Sequence, residues 1–247
     1  MKVLFLGGFA ASQIEWIAPV IESDVEIATV VDERDTETLA PALRDTDIVV
    51  SDLWRAGLPA APRLKLLQAP VAGTDMIDRA ALPSGVTICN AYGHEIPMAE
   101  YTVMAMLVWC HRYFDIASEF RSGSWRDSGV TGGPLHRELR GLTVGIVGLG
   151  QVGRETAIRA AALGCHVLGA NRTIGGAALD VWWQYPNAAE PARPPSRHPF
   201  HELPNVVMTP HCSAWTDGMA RRRGADAARN IDRFIRGEKL LHIVAQT

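Results

Sequence analysis

Thr143-Val144-Gly145-Ile146-Val147-Gly148-Leu149-Gly150-Gln151-Val152-Gly153-Arg154 passes from an apolar run through three glycines into a helical pattern. The β-branched run Thr143–Val147 reads as a buried strand, and Arg154–Leu163 reads as a helix. Between them stands G-x-G-x-x-G, which carries weight only in this strand–turn–helix setting. Gly148 permits the tight turn, Gly150 lets the backbone approach a pyrophosphate, and Gly153 lets helix and strand pack closely. The helix N-terminus adds free N–H groups and a positive dipole end. Gly148, Gly150, Gln151, Val152 and Gly153 are therefore the candidate cofactor-binding residues. A tight turn without ligand is the alternative.

In such a unit an acidic residue about 20 positions on would grip a ribose 2′-hydroxyl. Here the place holds Asn171-Arg172-Thr173, with no carboxylate. Asn171 and Arg172 join the cofactor-binding set. An arginine there can pair with a 2′-phosphate, so the expected cofactor is NAD(P), with NADP favoured over NAD.

Outward from this turn, short apolar runs alternate with helical or loop segments. Val3–Leu6, Val25–Val30, Asp47–Ser51, Leu64–Ala69 and Val86–Asn90 read as strands, with Thr36–Leu43 and Asp75–Ala81 between some of them. Repeated βα units imply a parallel sheet covered on both faces. One long helix is expected over 98–120, then an irregular glycine-rich arm over 124–138. After His166–Ala170, further strands are expected at Ala177–Val181 and Asn205–Thr209, separated by a loop carrying six prolines between 184 and 204. An amphipathic helix closes the pattern from Asp217 to Ile235.

The 247 residues carry 27 acidic and 24 basic side chains, a net charge of −3, and are 47% hydrophobic. That is globular composition with no electrostatic footprint for nucleic acid. No apolar run approaches the roughly 18 residues of a membrane span, and the N-terminal apolar run is too short for a signal peptide. The four cysteines, Cys89, Cys110, Cys165 and Cys212, form no C-x-x-C pair, which suits neither a disulfide framework nor a zinc site. A cytoplasmic protein with no metal, no membrane and no nucleic-acid partner is expected.

The segment Leu139-Arg140-Gly141-Leu142-Thr143-Val144-Gly145-Ile146-Val147-Gly148-Leu149-Gly150 resembles the entry to the cofactor domain of D-isomer-specific 2-hydroxyacid dehydrogenases. Ala72-Gly73-Thr74-Asp75-Met76-Ile77-Asp78 resembles that family's substrate loop, and Asn90 with Ala99-Glu100-Tyr101 its hinge and linking helix. Ala177-Ala178-Leu179-Asp180-Val181 and Asn205-Val206-Val207-Met208-Thr209-Pro210-His211 are similar to its two late strand motifs.

The resemblance implies a flavodoxin-like substrate domain (1–92 with 217–247) and a Rossmann-like doubly wound cofactor domain (93–216), with a cleft between them. It implies that the amides of Ala72 and Gly73 hold a substrate carboxylate and that Asp180 contacts the nicotinamide carboxamide. His211 would be the acid/base for hydride exchange between NAD(P) and a small 2-hydroxy or 2-oxo acid. Histidine chemistry suits that role, because the group titrates near working pH. The resemblance also implies a homodimer formed through the 98–138 region.

One departure stands out. Only six residues, 171–176, join the strand ending at Ala170 to the strand starting at Ala177. A parallel crossover needs a dozen or more. At roughly 30 residues per βαβ unit, the loss against the family is on the order of 80 residues. The resemblance places the family's catalytic arginine, and the glutamate that pairs with the histidine, in that segment. Two readings stay open: a deleted homologue, or a sequence from which a stretch has dropped out, with a break in the chain between Asn171 and Gly176. The alternative function is a non-catalytic dinucleotide-binding homologue that senses or binds a partner.

Overall fold

The computed structural model describes residues 1–169, 177–186, 190–203 and 206–247. The chain divides into two units, Met1–Gly93 with Asp217–Thr247, and His94–Thr216.

The first unit is built on β1 (Lys2–Leu6), β2 (Glu26–Val30), β3 (Ile48–Val50), β4 (Leu66–Gln68) and β5 (Thr87–Cys89). All pair in parallel, in the order β2-β1-β3-β4-β5. This is the flavodoxin-like order, in which ligands sit beyond the carboxyl ends of the strands. The two-residue period of β1 sends its side chains to opposite faces. Val3 and Phe5 join Ile48, Val50 and Leu66 on one face, where α1 (Gly8–Ser12) and α2 (Ile14–Ile17) contribute Ala10 and Ile17. Leu4 and Leu6 join Val49, Leu67 and Ile88 on the other, under Leu39 and Leu43 of α3 (Thr36–Arg44). Both faces are covered, as the apolar runs require.

The second unit opens with α4 (Glu95–Cys110) and α5 (Tyr113–Arg121) where one helix was expected over 98–120. The break falls at Arg112, whose φ of 51° lies in the left-handed region. Its guanidinium pairs with Asp115 at 3.7 Å and with the nearly buried Asp127 of the following arm at 3.3 Å. The apolar period runs through this point and gives no sign of the break.

Beyond the arm come β6 (Thr143–Ile146), α6 (Gln151–Ala162) and β7 (His166–Gly169), then β8 (Ala177–Leu179) and β9 (Val206–Met208). β6 pairs in parallel with β7, and β8 with β9, as two separate sheets. Val144 and Val167 pack with Cys110, Leu139, Ala160 and Cys165 in a core shared by α4 and α6. Among the described residues β6 has no second neighbour, and β8 stays with β9 instead of moving in beside it. The 171–176 junction, and with it Asn171, Arg172 and the question of a break in the chain, lies outside the described residues.

The chain returns to the first unit as α7 (Asp217–Ile235), whose Ala227, Ala228 and Ile231 cover the Val3/Phe5 face. Gly224 sits where any Cβ would overlap the Trp16 carbonyl oxygen of α2. A last strand, β10 (Ile243–Gln246), was not expected from the sequence; it adds antiparallel to β5 at the sheet edge. No helix among the described residues is long and apolar enough to cross a membrane.

Candidate functional site

The glycine turn of the second unit has the shape its sequence predicts. β6 ends at Ile146, Gly148 takes φ 92°, and α6 starts at Gln151 with Gly150 as its N-cap. Gly153 is buried against the strand, and a Cβ there would overlap the Gly148 carbonyl oxygen. Two of the three glycines are thus required by the protein's own backbone. Gly150 is different, because a Cβ on it would meet nothing within 4 Å. Among the described residues nothing crowds this N-cap position, and a glycine there leaves room for close approach of a ligand. No side chain caps α6 and no acidic residue stands in its first turn, so its N–H groups and dipole are open to an anion. This donor set fits a dinucleotide pyrophosphate.

The second cluster lies where β8 and β9 end. Asp180 Oδ1 accepts from Thr209 Oγ1 at 2.6 Å and from the Cys212 amide at 3.0 Å. Its Oδ2 accepts from the Ser213 amide at 3.0 Å and from Ser213 Oγ at 2.5 Å. Burial works against its charge, but the hydrogen bonds from Ser213, Thr209 and the two amides outweigh it and hold the carboxyl below the usual aspartate range. A carboxylate offers about four acceptor positions, so Asp180 is filled by the 209–213 loop. A carboxamide contact would have to displace one of these bonds.

His211 rides on this loop, exposed, at φ 57°. A non-glycine residue in that region is sparsely populated, and the clamped Cys212 and Ser213 amides hold it there. Its Nδ1 lies 3.0 Å from the Tyr185 hydroxyl. Trp182 Nε1 donates to the Thr209 carbonyl at 2.7 Å, tying the segment after β8 to the end of β9. Tyr101 of α4 reaches the same loop, its hydroxyl 3.7 Å from Cys212 Sγ. The sequence motifs point to Asp180 and His211 and include Thr209 without assigning it a role, whereas Tyr185, Trp182 and Ser213 belong to no motif.

Ala72 and Gly73 lie in the first unit, beyond the carboxyl end of β4. Their N–H groups donate to no acceptor among the described residues. The loop is held from below by buried amides. Asn90 Nδ2 donates to the Ala72 carbonyl at 2.8 Å, and Gln68 Nε2 donates to the Asn90 carbonyl at 3.2 Å. Asn230 Nδ2 of α7 in turn donates to Gln68 Oε1 at 2.9 Å. No cluster of three or more metal-ligating side chains occurs among the described residues.

The family model for the NAD-binding domain of D-isomer-specific 2-hydroxyacid dehydrogenases matches residues 103–174 and 170–213. The two stretches meet at the short junction. The D-3-phosphoglycerate dehydrogenase of Mycobacterium leprae is 37% identical over 113 residues, 45% of this chain and 21% of that protein. The glyoxylate reductase of Thermococcus onnurineus is 32% identical over 159 residues, 61% of this chain and 48% of that protein. The chain thus spans about half or less of the length of these curated relatives. Among solved structures, a family member from Aeromonas salmonicida shares the fold at TM-score 0.76 and 19% identity, covering 99% of this chain and 98% of that one. A D-lactate dehydrogenase of Treponema pallidum does so at TM-score 0.75 and 16% identity, covering 99% and 100%. One matched stretch carries the glycine turn and the other the loop of Asp180 and His211, so residues 103–213 are similar to the NAD-binding domain of the D-isomer-specific 2-hydroxyacid dehydrogenase family.

Proposed function

We propose that this chain is an oxidoreductase acting between a nicotinamide dinucleotide and a small 2-hydroxy or 2-oxo acid. The observation that carries the reading is the glycine turn, with Gly150 open to approach at the start of α6, where no side chain caps the helix. Gly148, Gly150, Gln151, Val152 and Gly153 would hold the pyrophosphate. When bound, the nicotinamide accepts or delivers a hydride. In the first unit (1–92 with 217–247), the free amides of Ala72 and Gly73 bind the substrate carboxylate. In the second (93–216), His211 takes the hydroxyl proton on oxidation or returns it on reduction, and Asp180 keeps its loop in place.

The reading is tested by turnover over a panel of 2-oxo acids beside an NADPH titration. Turnover with at least one 2-oxo acid is expected, and binding without turnover would reject the reading. For cofactor choice we propose NADP, with Asn171 and Arg172 at the 2′ position. Arg172→Ala should weaken NADP more than NAD by roughly 1–3 kcal/mol, and equal losses would remove Arg172 from that role. We also propose a homodimer and, because all four thiols are free, a reducing cytoplasmic setting.

A further inference from the structure

His211 has a partner that no motif announces. The Tyr185 hydroxyl lies 3.0 Å from His211 Nδ1, with the ring centroids 5.6 Å apart and the planes tilted by 48°. The same hydroxyl accepts the Trp182 backbone N–H at 3.2 Å, while the Trp182 indole is anchored on the Thr209 carbonyl. The phenol is therefore fixed by a short turn that is itself tied to the strand leading into the histidine loop. A hydroxyl has one proton and two lone pairs. With one lone pair taken by Trp182, its proton and its other lone pair are both available to Nδ1.

We propose that Tyr185 is the positioning residue of His211, holding the ring by Nδ1 and leaving Nε2 as the nitrogen that exchanges the substrate proton. The inference rests on the acid/base reading of His211. The sequence resemblance gives this role to a glutamate in the segment this chain lacks. A carboxylate can only accept from Nδ1–H and favours the charged ring. A phenol is neutral, and its second lone pair accepts from Nδ1–H, which the ring carries both as imidazolium and as the neutral tautomer with Nε2 free. The partner thus serves both proton states of the acid/base, with no carboxylate in the pair.

The test uses ¹⁵N-labelled full-length protein, as wild type, Tyr185→Phe and Tyr185→Glu. The imidazole ¹⁵N shifts of His211 are read by NMR, alongside kcat and KM for the best 2-oxo acid. Tyr185→Phe should move the Nδ1 and Nε2 shifts toward those of an unbiased tautomer mixture. It should also lower kcat roughly 10-fold or more, part of what acid–base catalysis supplies, with KM within about twofold. Tyr185→Glu restores a partner for Nδ1, so it should recover a biased tautomer and much of kcat; it also guards against a folding defect peculiar to the Phe variant. Wild-type ¹⁵N shifts in Tyr185→Phe, or kcat and KM moving together with no rescue by Glu, would overturn the assignment. A wild type without turnover whose His211 shifts still respond to Tyr185→Phe would reject the oxidoreductase reading and uphold the contact.

Discussion

At the scale of single residues, Gly150 and Asp180 make opposite demands on the same unit. A Cβ at Gly150 meets nothing within 4 Å among the described residues, so Gly150→Val should still fold and lose dinucleotide affinity, because its side chain would occupy the phosphate's approach. An unchanged NADPH titration with unchanged thermal unfolding would remove the pyrophosphate from this turn. Asp180 is spent on the fold. Its carboxyl is held below the usual range by bonds to Ser213, Thr209 and the loop amides that outweigh its burial. A depressed folded value gives stability that is present above the unfolded value of about 4 and lost as pH falls through the folded one. The 209–213 loop should therefore loosen in acid, by about 1–2 kcal/mol after allowance for partial exposure. Hydrogen exchange at the Cys212 and Ser213 amides between pH 6 and 3 would read this, and Asp180→Asn should abolish the pH dependence. A variant with the same acid response would place the loss elsewhere.

At the scale of elements, close helix contact rests on Gly224. α7 approaches α2 so tightly that a Cβ would overlap the Trp16 carbonyl. Gly224→Ala gains helix propensity of nearly 1 kcal/mol, yet it forces the helices apart. Overpacking of this kind costs about 1–3 kcal/mol, so the net effect should be destabilising by up to about 2 kcal/mol in denaturant unfolding. A stabilised variant would mean that α7 sits farther from α2 than described. The elements themselves were largely legible in advance. β1 to β5, α3 and α7 follow from apolar period and from turn residues within a few positions. The break at Arg112 was not, and the Asp127 carboxylate that meets its side chain lies beyond the reach of a local pattern.

At the scale of the whole molecule, apolar surface is concentrated on α5 and the arm that follows. Phe114, Trp125 and Leu135 are 66%, 59% and 97% exposed. Patches of this kind mark interfaces, and a second copy of the chain is the occupant proposed above. Sedimentation at micromolar concentration should give a dimer, and Trp125→Asp with Leu135→Asp should give a folded monomer. A wild-type monomer would refute the assembly.

Features written in near neighbours could be read without coordinates. The alternation of Val3 to Leu6, the strand–glycine–helix order at 143–163, and the histidine following Thr209-Pro210 needed no coordinates, because backbone period and conformational freedom act within a few residues. The folded chain alone decided which distant groups meet. Asn230 reaches Gln68 across 162 residues of chain, Asp180 closes on Ser213, and Tyr185 stands at the nitrogen of His211. Hydrogen bonds of that range depend on where the sheets bring their ends together. No local propensity encodes that placement, so the groups that steady the candidate site could be found only in the tertiary structure.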